Sequence, residues 1–283
     1  MFSLAHLSDL HATPVRVQRA SELLNKRLLG WLSWRLKGHR IYRPEVLDSL
    51  VDDLKVTAPD HVVVTGDLTT ISGEGEFPAA REWLQRLGGA KHVSVVPGNR
   101  DVYVRTPGVA TLERWSEFMR SDPAPAPDAA GLDEPEGLER AEAPGAPASG
   151  FPAIRVRGPV ALIGVCSAVP TAPFLAGGRV GDAQLERLER ELAALAGSSL
   201  CRVVLIHHPP VPGAVPPRRA LRDLDRLLAL LRRWGADLVL HGHVHRTSIA
   251  RVPGPRGAIP VVGVRSGSDA RALPHRCAQY HVY

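Results

Sequence analysis

The sequence predicts an α/β protein built from two packed β-sheets flanked by helices. Short apolar runs alternate with amphipathic helical stretches in a β-α-β-α-β rhythm. Five of those runs end in carboxylate, amide or imidazole side chains, which describes one composite site at the carboxyl edge of a sheet. A hydrophobic content of 44% and a charged content of 23% are ordinary for a globular chain, and 283 residues can bury a substantial core as one domain.

In chain order, the first run, Phe2 to His11, ends in Asp9-Leu10-His11. Residues 16–42 then carry two tryptophans, Trp31 and Trp34, among leucines interleaved with Arg16, Arg19, Lys26, Arg27, Arg35, Lys37 and Arg40. Leu24, Leu28, Trp31 and Leu32 fit one face of a helix that Gly30 weakens. Such a basic, Trp- and Leu-bearing insert either packs on the body or forms an interfacial surface that meets lipid or an acyl chain. Pro44 opens a helix with Val46, Leu47, Leu50, Val51 and Leu54 as its buried stripe. The run His61 to Asp67 ends in Gly66-Asp67. Pro78 starts a further helix that stops at Gly88-Gly89, and the run from Val93 ends in Gly98-Asn99-Arg100-Asp101.

Thr111 to Met119 is read as a short helix. The stretch 122–150, rich in Pro, Ala and Gly with no apolar period, is expected to be a flexible insert. A hairpin around Gly158-Pro159 resumes the order, and Asp182 is placed to cap a helix striped with Leu185, Leu188, Leu192 and Leu195. The strand from Val203 ends in His207-His208-Pro209-Pro210, and a helix with Leu221, Leu224, Leu227, Leu228, Leu231 and Trp234 closes at Gly235. The strand from Leu238 runs into His241-Gly242-His243-Val244-His245. Strands over Ile259 to Val264 and Ala278 to Tyr283 end the chain.

His243 and His245 stand at i and i+2, so in an extended segment both rings project to one side, and Gly242 allows close approach. His207 and His208 would face opposite ways on a strand. Imidazoles mixed with hard oxygen donors, with no cysteine among them, point to Mn, Fe or Zn rather than a thiolate zinc site. Cys166, Cys201 and Cys277 form no CxxC pair and read as small buried residues of a reducing compartment. No apolar run is long enough to span a bilayer, and the chain begins directly in its first strand. The expected location is therefore the cytoplasm, peripheral to the inner membrane face if 16–42 is an interfacial surface and not packed on the body. A net charge of +6 and a pI near 9.6 favour anionic partners.

In this order, Asp-x-His, Gly-Asp, Gly-Asn-x-Asp, His-His-Pro-Pro and Gly-His-x-His resemble the calcineurin-like metallophosphoesterases. The resemblance covers the chain outside a middle insert and implies a four-layer αββα sandwich of two mixed sheets flanked by helices. It also implies two divalent ions. Asp9, His11 and His245 would hold one, Asn99, His207 and His243 the other, and Asp67 would bridge them. The ions would clamp a phosphoryl oxygen and supply a hydroxide nucleophile. Arg100, His243 and the metals would stabilise the equatorial oxygens, with Asp101 a supporting partner.

Most of the family carries His where this chain has Arg100, and that His can protonate the leaving oxygen. Arg cannot do so usefully, but it binds phosphate oxygens bidentately. The substitution thus points to a pyrophosphate linkage or another ester with a good leaving group, and away from simple alkyl phosphodiesters. The Gly-Asn-Arg-Asp form resembles the UDP-2,3-diacylglucosamine pyrophosphohydrolases, whose acylated substrate would suit the 16–42 segment. His-His-Pro-Pro and the stretch up to Gly181-Asp-Ala-Gln-Leu185 look more like the cyclic-nucleotide and glycerophosphodiester branch. The expected substrate is a small phosphate ester or pyrophosphate, acylated in the narrower reading. The reading from another class, a nucleic-acid or membrane-binding module with a relict site, rests on charge alone. No aromatic-basic interleaving of the single-strand-binding kind marks the 122–150 insert.

Overall fold

The structure, a computed structural model, describes residues 1–11, 15, 17, 19–105, 111–123 and 150–283. Two mixed sheets form its centre. In the first, β1 (Leu4–Leu7), β2 (His61–Val64) and β3 (Val93–Val95) are parallel, and β10 (His281–Val282) joins β1 antiparallel. The second runs in the spatial order β4 (Ala153–Arg157), β5 (Val160–Val165), β6 (Cys201–Ile206), β7 (Leu238–His241), β9 (Gly257–Gly263), β8 (Ser248–Gly254). Its four inner strands are parallel, and β4 and β8 are antiparallel edges.

Alternation along the strands divides the core in two. Val203 and Leu205 join the cluster that also holds Leu7, Val63 and Val95 of the first sheet, whereas Val204 and Ile206 join Leu185, Leu188, Leu227 and Leu231. The helices α3 (Pro44–Thr57) and α4 (Glu76–Leu87) pack on the first sheet. On the second lie α6 (Asp182–Leu195) and α7 (Leu224–Trp234), so the layers run helix, sheet, sheet, helix. Between α4 and β4, a 3-10 turn at Leu112–Trp115 leads into the short α5 (Ser116–Met119).

Several boundaries differ from the sequence expectation for local physical reasons. Helix α4 begins at Glu76, two residues before Pro78. The Glu76 carboxylate is buried and accepts backbone N–H groups from Thr70 at 2.7 Å, Ile71 at 3.0 Å and Gly73 at 2.8 Å, folding the preceding loop onto the helix start. Asp182 is the first helical residue, not the cap, and its carboxylate pairs with Arg226. Strand β8 was not anticipated; its exposed edge carries only a weak apolar alternation. Most of 122–150 lies outside the described residues, but Asp122 is no linker residue. It accepts the Val156 N–H at 2.8 Å and both Arg157 terminal nitrogens, at 2.8 and 3.0 Å.

The basic segment forms a 3-10 turn at Ala20–Leu23, α1 (Arg27–Ser33), a π-turn at Trp34–Gly38 and α2 (His39–Ile41). Gly30 has a packing reason: a Cβ there would lie 2.7 Å from Ile71 and 3.0 Å from Tyr103. Trp31 and Trp34 turn inward onto Val15, Ile71 and Tyr103. Leu24, Leu28 and Leu32, expected on the same face as Trp31, are exposed instead.

One buried arginine pins the sheets together. Arg155 of β4 donates to Val93 O at 2.7 Å and Ser94 Oγ at 3.0 Å on β3, to Phe118 O at 3.3 Å, and to Ala90 O. Arg155→Met would strand these buried acceptors, with an expected loss of about 3 kcal/mol in urea-denaturation stability. A change under about 0.5 kcal/mol would show that the pin is not needed.

Candidate metal centre

The carboxyl ends of β1, β2, β3, β6 and β7 meet at one place, where each strand's exit loop delivers side chains. Asp9, His11, Asp67 and His245 each offer one donor atom, and these atoms lie within 4.8 Å of one another. Asp9 Oδ1 is 3.0 Å from His245 Nε2 and 4.0 Å from His11 Nε2. Asp67 spans two groups: Oδ2 lies 3.7 Å from His11 Nε2, and Oδ1 lies 3.5 Å from His207 Nε2. His207 Nε2 also lies 3.2 Å from Asn99 Oδ1 and 3.3 Å from His243 Nδ1.

Hydrogen bonds on the far side of each ring fix which nitrogen has a free lone pair. His11 Nδ1 lies 3.0 Å from Thr69 O, and His207 Nδ1 lies 2.7 Å from Thr65 O. A carbonyl only accepts, so the proton is on Nδ1 and both Nε2 lone pairs face the gap. His208 differs. Its Nε2 meets Ala176 O at 3.2 Å and its Nδ1 meets Ser167 Oγ at 2.8 Å, so both nitrogens are engaged. Although His208 lies as close to His207 and His243 as a ligand would, Asn99 and Asp67 better complete that group. His241 is also engaged, by Gly242 O at 2.9 Å and Ser248 Oγ at 3.3 Å.

The loops reach this geometry through unusual backbone. Asp9, His11, Asp67, His243 and His245 have φ of 53°, 43°, 55°, 70° and 52°. The left-handed region costs an L residue roughly 1–2 kcal/mol. Strand β7 ends at His241, so His243 and His245 are not an extended pair projecting to one side. The left-handed turns send one ring to His207 and the other to Asp9. Gly242 serves the loops themselves, since a Cβ there would collide with Ser8 Oγ and crowd Asp9 Oδ2 at 2.7 Å.

Electrostatics follow from burial. Asp9 is wholly buried, which opposes ionisation, but His245, His207 and His11 hold its pKa far below the usual carboxylate range. Burial lowers His11 to about 4 against the pull of Asp67, and raises Asp101 to about 7 together with the Asp67 charge. Asp101 is not among the converging donors. It accepts the Thr69 N–H at 2.8 Å and the Gly98 N–H at 2.9 Å and so shapes the loops.

The donor set fits divalent cations. His243 Nε2 is buried with no hydrogen-bond partner, and the Nε2 atoms of His11 and His207 face the Asp67 oxygens at 3.7 and 3.5 Å, longer than an ordinary hydrogen bond. Oxygen and imidazole donors of this kind suit Mn, Fe or Zn.

Three neighbours were not singled out as site residues from sequence. The Tyr42 hydroxyl lies 3.2 Å from His245 Nδ1, and its ring packs 4.7 Å from that of His11. Arg219 donates to His243 O at 2.7 Å and interacts electrostatically with Asp9, Asp67 and Arg100. Lys26 lies 4.2 Å from the Tyr103 ring, which Arg100 approaches at 4.9 Å, and burial with the Arg100 charge lowers its pKa to about 8. Arg100 also donates its backbone N–H to Asp67 Oδ1 at 2.7 Å. No local motif marks Tyr42 or Arg219, because each reaches the site only through folding.

Comparison with known proteins agrees with this architecture. The family model for calcineurin-like phosphoesterases matches residues 2–247, and the chain belongs to that family of metallophosphoesterases. Similar solved structures include a dimetal phosphatase from Danio rerio, at 13% identity and a TM-score of 0.60, over 95% of this chain and 89% of that one. A purple acid phosphatase isolated from yellow lupin (Lupinus luteus) seeds is similar at 13% identity and a TM-score of 0.54, over 96% of this chain and 46% of that one. No curated protein matches the sequence.

The buried histidines make the metal-free protein acid-sensitive. Burial lowers the pKa values of His11 and His241 to about 4 and that of His61 to about 3, and also holds His6, His208 and His243 well below the ordinary value. Unfolding restores the ordinary value near 6.5, so between the two the unfolded chain binds more protons and stability rises with pH. Asp101 and His207, both raised, pull the other way but are outnumbered. The urea midpoint of chelated protein is expected to fall as pH drops from about 6.5 towards 4. A flat profile would contradict this account.

Proposed function

We propose that the protein hydrolyses a phosphodiester or pyrophosphate bond, using two divalent ions held by Asp9, His11 and His245 and by Asn99, His207 and His243, with Asp67 as the bridge. The observation that carries this reading is the Asp67 carboxylate, whose two oxygens face lone pairs in two separate ligand groups. When bound, the ions would supply Lewis acidity and a nucleophile near neutral pH. The backbone N–H of Arg100 holds the bridging oxygen, while its guanidinium can grip a phosphoryl oxygen. Arg219 supplies a second cation beside His243.

No acid stands at position 100 to protonate a leaving group, so the favoured substrate is one whose leaving group departs as a stable anion. A pyrophosphate fits, since a departing phosphate is itself acidic. The narrower reading, a lipid-linked nucleotide-sugar of the UDP-2,3-diacylglucosamine type, draws support from the exposed leucines of the insert. The complete ligand set argues against a binding module with a relict site.

Asp67→Ala should lower metal content below two ions per chain and cut turnover by more than about a hundredfold, because even outer-sphere partners of metal ligands cost about 10–100-fold in affinity or activity. Near-normal rates with full metal content would defeat the proposal. The substrate reading is tested with Mn-loaded enzyme on bis(p-nitrophenyl) phosphate, p-nitrophenyl phosphate, a cyclic nucleotide and UDP-diacylglucosamine. Release of UMP from the last supports the pyrophosphate, and diester turnover alone supports a general phosphodiesterase. Arg100→His should raise relative activity on poor leaving groups; an unchanged ratio between good and poor leaving groups would remove Arg100 from this role.

A further inference from the structure

The helical insert has two faces with different tasks. Its inner face touches the metal centre at both ends. Tyr42 packs against His11 and His245, and Lys26 sits over Tyr103 beside Arg100. Its outer face bears leucines in solvent: Leu24 is 86% exposed and Leu36 70%, with Leu28, Leu29 and Leu32 also open. Leu28, Leu32 and Leu36 recur every four residues along α1 and the π-turn, with Leu24 four residues before them, so they form a ridge along one side.

A neighbouring loop carries a further exposed apolar side chain. Lys26 Nζ bonds Thr171 Oγ1 at 2.7 Å and Leu175 O at 3.1 Å, tying the loop to the start of α1. That loop presents Phe174 at 81% exposure with a φ of 65°, a conformation bulky residues rarely adopt. An aromatic held in a strained turn and left in water is costly unless something else covers it.

Charge decides what that is. Between Arg16 and Arg43 the sequence has eight Lys or Arg residues against Glu22 alone. Arg35, Lys37 and Arg40 are exposed and pair with no acidic side chain among the described residues. Exposed leucines and phenylalanine with exposed cations that carry no acidic partner among the described residues match the headgroup boundary of an anionic bilayer. A second copy of the same face would bring the cations against one another.

We propose that the Leu24–Leu36 ridge and Phe174 dock this protein on an anionic lipid surface, holding the rim of the metal centre at the membrane. The inference rests on the insert's exposed face and not on which phosphoester is cleaved. The test is co-sedimentation of the full chain with vesicles of phosphatidylcholine alone or doped with phosphatidylglycerol. Binding is expected only to the doped vesicles and is expected to weaken at high salt. Leu24→Glu with Leu36→Glu, and separately Phe174→Glu, should each weaken it about tenfold or more. Arg35→Glu with Lys37→Glu should do so without altering the apolar ridge. Unchanged thermal melting and unchanged turnover of a soluble ester would show that the variants are folded. The proposal is overturned if the wild type does not bind doped vesicles, if the variants bind equally well, or if light scattering shows a wild-type dimer that the leucine variants abolish.

Discussion

Two carboxylates and four imidazoles share a desolvated gap between the two sheets, and an uncompensated buried charge is among the costliest groups a protein can hold. The rest of the structure is arranged around tolerating that gap. The exit loops are laced by backbone hydrogen bonds, from Asp9 N to Gly66 O at 2.9 Å, His11 N to Asp67 O at 3.1 Å and Gly242 N to His207 O at 3.1 Å. The His243 N–H further holds Asp9 Oδ2 at 2.9 Å. These contacts sustain five left-handed residues that isolated loops would not keep. The features that cost stability in the bare protein are those that make the site receptive to cations.

The insert is part of this arrangement. Because Gly30 lets α1 lie directly on Tyr103 and Ile71, the helix ends reach both sides of the centre. Arg27 adds to the grip, donating to Ile71 O at 3.2 Å and Ser72 O at 2.7 Å in the loop that also supports His11 and Arg100. Whatever occupies the outer leucines therefore bears on an element in direct contact with the site's histidines and cations. Arg100, Arg219 and Lys26 form the positive counterpart to the carboxylates, which suits an anionic phosphoester.

Much of the layout was legible from residues alone. Short continuous apolar runs show where strands buried on both faces must be, and polar residues at their ends show where the chain leaves the sheet. The seven donor-bearing residues, from Asp9 to His245, could therefore be read as one cluster. Helix α3 followed from Pro44 and its leucine stripe. Where structure and local pattern differ, a contact that no residue preference encodes decides the outcome. Glu76 sets the start of α4 by collecting three N–H groups of the loop just before it, and Gly30, which locally weakens a helix, is the residue that lets the helix dock.

By itself, the sequence determined the fold class, the family and the chemical character of the site, because strand periodicity and donor type are local properties of the chain. Only the tertiary structure decided which ring nitrogens carry lone pairs into the gap, since the carbonyls of Thr65 and Thr69 that set them arrive from other strands. It likewise decided that Tyr42 meets His245 across 203 residues of chain, and that the leucines of the insert face outward while its tryptophans face in. Those outcomes depend on the packing of distant elements against one another, which no spacing along the chain encodes.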